Sequence, residues 1–275
     1  MASHDIKLVL TDIDSTILPR GCEEISERMV AAMRACREAG IRVAAATGRT
    51  MGMLLPVLGG RADLAATAVL ANGMRTYLDG SVADERAVAP DVLRRLAAFV
   101  DERPGCGMYA IDDGLDVHVL RGTYGHNFEE SAPLLGTVTA EEDPVPDFPV
   151  IKLNMFCPGA PEDLARFCAE AEEAVPELHF MMPSPDVVNT SLRGWGKGPA
   201  IEALCELMGI GLDQAVAFGD AGNDIEMLET VPNSVAVANA TPEAKAAARY
   251  EIGSCADDAV AKALERLAAG EWPFG

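Results

Sequence analysis

The chain has 275 residues, of which 49% are hydrophobic and 24% are charged, as is typical of a soluble globular protein with one large domain or two modest ones. Its formal net charge of −21 argues against nucleic acid and anionic membrane surfaces as partners, because both select for lysine and arginine. No apolar run reaches the roughly 20 residues that span a bilayer. Seven scattered cysteines without a Cys-x-x-Cys pair, and no basic-then-apolar leader, predict a cytoplasmic protein with reduced thiols.

The first predicted strand ends in two carboxylates. Residues 8–10 form a short apolar run that predicts a buried strand, and Asp12, Asp14 and Thr16 follow it closely. Carboxylates two residues apart at a strand end point the same way, and two like charges there are costly unless a cation lies between them. Mg²⁺ is the natural candidate, since it takes oxygen ligands and leaves room for phosphate oxygens. One such aspartate would indicate only a turn or a helix N-cap, whereas Asp-x-Asp-x-Thr favours a metal-assisted site.

The first third of the chain predicts a parallel sheet. After the first strand, helices and strands alternate, and the next two strands end in Thr47-Gly48-Arg49 and in Asn72-Gly73. This alternation is typical of right-handed crossovers, and in such sheets ligands bind beyond the carboxyl ends of the strands. The predicted elements are helices over residues 26–39 and 51–58 and strands over residues 41–46 and 68–71.

The middle third has an antiparallel α+β character. It begins with a hairpin at Asp79-Gly80, and residues 122–147 resist assignment because glycine, proline and acidic residues dominate them. The predicted elements are a hairpin over residues 77–82, helices over 90–102 and 161–174, and strands over 107–111, 116–120, 150–156, 178–182 and 187–190.

The last third returns to the α/β pattern. A strand here runs into the acidic loop Gly219-Asp220-Ala221-Gly222-Asn223-Asp224, which opens a helix. We therefore expect a core domain of residues 1–80 and 191–275 with an inserted domain of residues 81–190. The predicted elements are strands over residues 215–218 and 234–237 and helices over 198–208, from 225, over 242–249 and over 256–269.

Three further groups join the first pair of aspartates. Thr47 is a hydroxyl beside backbone amides that Gly48 leaves accessible, and Lys197, flanked by glycines at a helix start, is a ready phosphate contact. Asp220 and Asp224 lie four residues apart across a turn into a helix, so both can face one ion. An oxygen-rich set suits Mg²⁺ rather than zinc, and the four histidines show no ligand spacing. Each group alone could be ordinary turn, surface or capping chemistry, but four at successive strand ends and helix starts indicate a site.

These motifs resemble those of the haloacid dehalogenase (HAD) superfamily, in its phosphatase branch of Cof type with a type IIB cap. The four motifs of that family are matched in order by Asp12-Ile13-Asp14-Ser15-Thr16, Thr47-Gly48-Arg49, Lys197 and the loop from Gly219 to Asp224. The resemblance implies a Rossmann-like parallel-sheet core with an inserted α+β cap. One departure is Ser15, where the family usually has glycine, and its Cβ is expected to alter the local turn.

The resemblance implies a role for each residue. Asp12 would be the nucleophile and Asp14 the general acid and base of a phosphatase that acts through an aspartyl-phosphate. Mg²⁺ would be the cofactor, and a small phosphorylated metabolite such as a sugar phosphate the substrate. The metal ligands would be Asp12, the Asp14 backbone carbonyl, Asp220 and Asp224; the phosphate contacts Thr47, Gly48, Lys197 and Asn223; the candidates for substrate selectivity Arg49, Asn189 and Arg193.

Two other functions fit the same sequence. A phosphomutase or phosphotransferase would share Asp12 and Asp14 but pass the phosphoryl group to a sugar hydroxyl. A sensor that only binds a phosphorylated metabolite is disfavoured, because both aspartates are present. Either a monomer or a homodimer fits the sequence.

Overall fold

The structure, a computed structural model, describes residues 5–123, 135–184 and 187–275. The chain divides into two compact units, and we call them the first and second units. The first unit comprises the residues up to Asp84 together with Gly196–Gly275, and the second comprises Glu85–Trp195. No helix within the described ranges is long and apolar enough to cross a membrane.

Strands and helices alternate in the first and last parts of the chain, whereas several strands follow one another in the middle. In chain order the strands are β1 Leu8–Thr11, β2 Arg42–Ala46, β3 Ala68–Leu70, β4 Arg75–Leu78, β5 Ser81–Glu85, β6 Gly107–Ile111, β7 Val117–Gly122, β8 Val138–Ala140, β9 Leu153–Phe156, β10 Leu178–Ser184, β11 Val187–Leu192, β12 Ala215–Gly219, β13 Asn233–Val237 and β14 Tyr250–Ile252. The helices are α1 Glu27–Glu38, α2 Met51–Val57, α3 Pro90–Asp101, α4 Pro161–Ala174, α5 Lys197–Met208, α6 Ile225–Thr230, α7 Pro242–Ala247 and α8 Ala259–Ala268.

The first unit is built on an eight-stranded sheet with the order β14-β13-β12-β1-β2-β3-β4-β5. The strands from β14 to β3 pair in parallel, and β4 joins β3 antiparallel. Alternate residues of β1 face opposite layers: Val9 packs in one core with α1 and α8, whereas Leu8 and Leu10 are equally buried outside that core. Helices on both faces explain why the central strands are apolar throughout.

The second unit is an antiparallel sheet with helices packed on it. Its strand order is β10-β11-β9-β6-β7-β8, with β8 alone parallel to its neighbour among the pairs described. Helices α3 and α4 bury apolar faces, and the rings of Phe99 and Phe167 from these two helices lie 5.3 Å apart. The predicted fold class, a Rossmann-like parallel sheet with an additional α+β region, is confirmed.

Several predicted elements differ from the structure at their ends. Strand β14 was not predicted, and the helix expected over residues 242–249 ends two residues earlier than expected, at Ala247, before β14 begins at Tyr250. Helix α8 starts three residues later than expected, because a 3-10 turn occupies Cys255–Asp257. Strand β9 is shorter than predicted, and β8 lies inside the unassigned stretch, of which residues 124–134 fall outside the described ranges.

Candidate active site

The candidate site lies at the carboxyl ends of four adjacent strands of the first unit. Asp220 follows β12, Asp12 follows β1, Thr47 follows β2 and Asn72 follows β3. All four residues are buried, with exposed fractions between 1% and 9%. Because polar groups are rarely buried without a partner or a task, this row of four marks the functional edge of the sheet.

Three buried carboxylates meet at this edge. Asp12, Asp220 and Asp224 each place an oxygen within 4.8 Å of the others. Asp224 is fixed by its own loop, because its Oδ2 accepts the backbone N–H groups of Asp220 at 2.9 Å and Ala221 at 3.1 Å. Gly219 makes room for it, since a Cβ there would come within 2.6 Å of the Asp224 Cβ. The acidic loop is therefore shaped to hold a carboxylate against the strand end.

Lys197 supplies the buried positive charge of the cluster. Its Nζ donates to Asp12 Oδ1 at 2.7 Å and to Asp224 Oδ1 at 2.6 Å, and its side chain is completely buried at the start of α5. Burial alone would lower the pKa of Lys197, but the charges of Asp12 and Asp224 outweigh burial and raise that pKa above its usual value. The lysine is therefore a fixed cation between two carboxylates.

One lysine does not neutralise this cluster. Burial, followed by the nearby charge of Asp224, raises the pKa of Asp12 to about 7, although Lys197 opposes the shift. Burial also raises the pKa of Asp220 to about 6, against the hydrogen bond from Thr16 Oγ1 at 2.9 Å. Both shifts mean that burial disfavours the charged form of these carboxylates, which a cation bound beside them would favour.

The donor set fits a hard divalent cation. All its members are carboxylates, and Mg²⁺ prefers oxygen ligands whereas zinc prefers nitrogen and sulfur. Both oxygens of Asp224 are already engaged, by Lys197 and by backbone amides. Asp12 and Asp220 use Oδ1 in the hydrogen bonds found among the described residues, which leaves Oδ2 of each for an ion. The residues present therefore fit a divalent metal, with Asp224 better suited to an indirect role.

Asp14 lies at the rim of the site, paired with Arg49. The Arg49 guanidinium donates to both carboxylate oxygens, at 2.7 and 3.0 Å, and also to the Met53 carbonyl at 3.2 Å. Asp14 is 58% exposed at its side chain, in contrast to the buried Asp12. Arg49, predicted as a selectivity residue, is thus placed by the structure as the partner that orients Asp14.

Two of the predicted phosphate contacts, Gly48 and Asn223, lie against Asn72, which was not among the predicted site residues. The Thr47 hydroxyl accepts the backbone N–H of Arg49 at 3.3 Å, and Asn223 Nδ2 donates to Asn72 Oδ1 at 3.5 Å. Gly48 lies so close to Asn72 that a Cβ would stand 3.2 Å from its Oδ1. Asn72 has a positive φ of 55° and lies two residues after β3. Its Asn-Gly sequence indicated a strand end, but only the pairing of β3 with β2 brings Asn72 against Gly48.

The remaining selectivity candidates belong to the second unit and have different partners. Asn189 Oδ1 accepts Asn154 Nδ2 at 2.8 Å and Lys152 Nζ at 3.3 Å, which makes a polar cluster on strands β9 and β11 and the residues before β9. Arg193 donates instead to the Glu172 carboxylate at 3.0 Å and to the carbonyls of Pro176 and Leu178. Arg193 therefore connects the chain after β11 to α4 and to the residues around the start of β10, whereas Asn189 belongs to the polar cluster with Asn154 and Lys152.

The chain belongs to the haloacid dehalogenase-like hydrolases. The sequence profile of that family matches residues 9–264, which includes every residue of the candidate site. The predicted resemblance to the haloacid dehalogenase superfamily and the predicted class of hydrolase are confirmed at the level of the family.

Solved structures share the fold over almost the whole chain. A HAD subclass IIB sugar phosphatase is 22% identical, with a TM-score of 0.78, and the match covers 95% of this chain and 98% of the other. A HAD-superfamily phosphatase from Bacteroides thetaiotaomicron is also 22% identical, with a TM-score of 0.78 and coverage of 98% and 97%. A hypothetical protein from Geobacillus kaustophilus is 24% identical, with a TM-score of 0.80 and coverage of 95% and 98%.

Proposed function

We propose that the protein is a Mg²⁺-dependent phosphatase that hydrolyses a small phosphorylated metabolite through an aspartyl-phosphate on Asp12. The observation that carries this proposal is the buried contact of Asp12 with Lys197 beside Asp220 and Asp224. A structural ion pair would need only one carboxylate for one lysine. Three carboxylates around one lysine, at the ligand-binding edge of a parallel sheet, are suited to holding a metal and a phosphate together.

Asp12 is the nucleophile of the proposed reaction. The hydrogen bond from Lys197 to Oδ1 fixes the plane of the Asp12 carboxylate, which gives the carboxylate a defined direction for in-line attack on phosphorus. The new bond joins Asp12 to phosphorus as the bond from phosphorus to the alcohol oxygen breaks. Bound Mg²⁺, held by Asp12, Asp220, the Asp14 backbone carbonyl and indirectly Asp224, would offset the charge of the phosphate dianion and of the carboxylates. Lys197, bound to the nucleophile Asp12, would offset the charge that the phosphoryl oxygens carry in the transition state.

Asp14 moves the protons. In the first step it gives a proton to the leaving alkoxide, and in the second it takes one from the water that attacks the aspartyl-phosphate, which restores Asp12 and releases inorganic phosphate. Its position at the rim allows exchange with solvent, and the two-pronged contact with Arg49 fixes its orientation. Thr47, the Gly48 amide and Asn223 complete the contacts to the phosphate.

We assign substrate selectivity to the second unit, as a cap domain. The amide groups of Asn154 and Asn189 can donate and accept hydrogen bonds and the ammonium group of Lys152 can donate them, which suits the hydroxyl groups of a sugar. Asn154 is 2% exposed and its Oδ1 has no hydrogen-bond partner among the described residues, so a ligand hydroxyl would satisfy it. Arg193 has three local partners and is given a structural role in this proposal.

Hydrolysis of p-nitrophenyl phosphate tests the proposed activity. We expect turnover with Mg²⁺, no turnover with EDTA, and a fall of about a thousandfold or more for Asp12→Asn. Asp5→Asn is the matched control, because Asp5 is an exposed carboxylate of the first unit that pairs with Lys7. Equal release of p-nitrophenol and inorganic phosphate, with sugars added as acceptors, indicates hydrolysis rather than transfer. Turnover of Asp12→Asn near that of the wild type would exclude the proposed nucleophile.

A further inference from the structure

We propose that Cys106 and Cys157 are a site of reversible oxidation in the second unit, where they form an intramolecular disulfide. Their Sγ atoms lie 2.7 Å apart, with Cys106 as donor to Cys157, although both are reduced thiols in this structure. The two cysteines belong to the second unit and the carboxylate cluster to the first, so the inference does not depend on the proposed phosphatase activity.

The backbone already has the geometry that a disulfide needs. Strands β6 and β9 pair antiparallel with Gly107 opposite Phe156, so Cys106 and Cys157 are the next facing pair. The backbone N–H of Cys106 donates to Arg103 and its carbonyl accepts from Thr123, as expected for a pair that exchanges no backbone hydrogen bonds across the strands. Such pairs have Cα atoms about 4.5 Å apart, within the range of about 4.4–6.8 Å found in disulfides. The bond can therefore form without moving the strands.

The two thiols have unequal access to an oxidant. Cys106 is 6% exposed, whereas Cys157 is partly exposed at the end of β9. Burial and the hydrogen bond to Cys157 raise the pKa of Cys106 to about 12, although the charge of Arg103 opposes the shift. Cys157 is thus the thiol that reacts with an external reagent, and Cys106 is the thiol that then attacks the mixed disulfide on Cys157.

The oxidant we name is a low-molecular-weight disulfide such as oxidised glutathione. The Cys157 thiolate attacks one sulfur of the reagent and releases one thiol, leaving a mixed disulfide. Cys106 then gives up its proton and attacks the Cys157 sulfur, which releases the second thiol. Two protein thiols are oxidised, one small disulfide is reduced to two thiols, and no other reactant is needed.

The consequence is a covalent link between the two central strands of the sheet. Strands β9 and β6 are neighbours in the middle of the order β10-β11-β9-β6-β7-β8, so the bond fixes the register of their ends. Residues 51 positions apart become joined, and a link over so long a segment restricts the unfolded chain. Oxidation should therefore stabilise the second unit.

A nearby third thiol offers a matched control. Cys168 lies in α4, is buried, and is close enough to Cys157 for that thiol to affect its pKa, which burial raises to about 11. Cys168→Ser removes a neighbouring cysteine but keeps the proposed pair. Cys106→Ser and Cys157→Ser each remove one member of the pair.

The experiment treats the full-length protein with oxidised glutathione, blocks the remaining thiols at low pH and maps the peptides by mass spectrometry. We expect the wild type and Cys168→Ser to lose two thiols each in a Cys106–Cys157 link that dithiothreitol reverses, and the melting temperature to rise by roughly 5 °C. Cys106→Ser should instead accumulate glutathione on Cys157, and Cys157→Ser should leave Cys106 as a thiol. Wild-type protein that keeps both thiols, holds a stable glutathione adduct on Cys157, or links Cys157 to Cys168 would overturn the proposal. Circular dichroism of each variant shows that the comparison is between folded proteins.

Discussion

At the scale of single residues, most of the candidate site can be predicted from local sequence patterns. Aspartates after an apolar run and a lysine flanked by glycines are such patterns, so Asp12, Lys197 and Asp220 can be singled out from the sequence alone. Asn72 cannot, because its importance depends on the pairing of β3 beside β2, which brings it against Gly48 and Asn223. The ion pair of Arg49 with Asp14 could not be predicted for the same reason, since 35 residues separate the two in sequence.

Removing the cation of the cluster should destabilise the protein as well as inactivate it. Lys197→Met leaves Asp12 and Asp224 buried without a positive partner, and breaking a buried ion pair on one side costs roughly 3 to 5 kcal/mol. We expect the free energy of unfolding in urea with EDTA to fall by about 3 kcal/mol. Lys245→Met is the control, because Lys245 forms a partly exposed pair with Glu251 that contributes little. Equal stability of the two variants would show that Lys197 does not hold the carboxylates.

The serine that replaces the family's glycine should carry a measurable strain. Ser15 has a φ of 63°, a left-handed conformation that costs a residue with a Cβ about 1 kcal/mol. Its backbone carbonyl accepts Asn239 Nδ2 at 2.7 Å, and this bond survives any side-chain change. We expect Ser15→Gly to raise the free energy of unfolding by about 0.5 kcal/mol, after the greater freedom of glycine in the unfolded chain is subtracted. Ser15→Ala, which keeps the Cβ, should show no gain, and a gain in Ser15→Ala alone would contradict this explanation.

At the scale of elements, long apolar or amphipathic segments were predictable and short edge elements were not. Helices α3 and α4 begin with proline and have clear apolar faces, so their predicted bounds agree with the structure to within one residue. Strand β14 has three residues, none of them fully buried, and its only described partner is β13. Such a strand exists because β13 offers an open edge, which is information that three residues of sequence do not contain.

One histidine should link the stability of the second unit to pH. His118 on β7 contacts Glu141 Oε1 through Nδ1 at 2.7 Å and Asp112 Oδ2 through Nε2 at 3.2 Å. Burial disfavours the charged ring, but these two hydrogen bonds outweigh burial and raise its pKa above the usual 6.5. The resulting stabilisation is fully present below the unfolded pKa and is lost as pH rises through the raised folded pKa.

The test compares His118→Gln with the wild type at two pH values. The loss of unfolding free energy caused by the substitution should be larger near about pH 6 than near about pH 9, because the charged ring exists only at the lower pH. His179→Gln is a suitable control, since His179 is about half exposed and lies in the same unit. A loss that stays constant with pH, or grows as pH rises, would show that the ion pairs of His118 do not stabilise the fold.

At the scale of the whole molecule, the negative net charge disfavours the binding of the anionic substrate that we propose. A protein with a net charge of −21 repels anions, yet the substrate that we propose is a phosphorylated metabolite. The contradiction is resolved locally, because Lys197, Arg49 and a bound divalent cation would reverse the field at one edge of one sheet. The sequence predicted an antiparallel middle between α/β ends, whereas the polar cluster around Asn189 depends on the strand pairing of β9 and β11.

The most direct test of the central claim is to trap the covalent intermediate on Asp12. A single turnover of p-nitrophenyl phosphate with Mg²⁺ is quenched rapidly, reduced with borohydride and mapped by mass spectrometry, since reduction marks the residue that carried the acyl-phosphate. We expect a reduced residue at Asp12 only when substrate and Mg²⁺ are both present, and none in Asp12→Asn. Phosphate release with Asp12 unmodified at every quench time, or with the mark on another carboxylate, would contradict it.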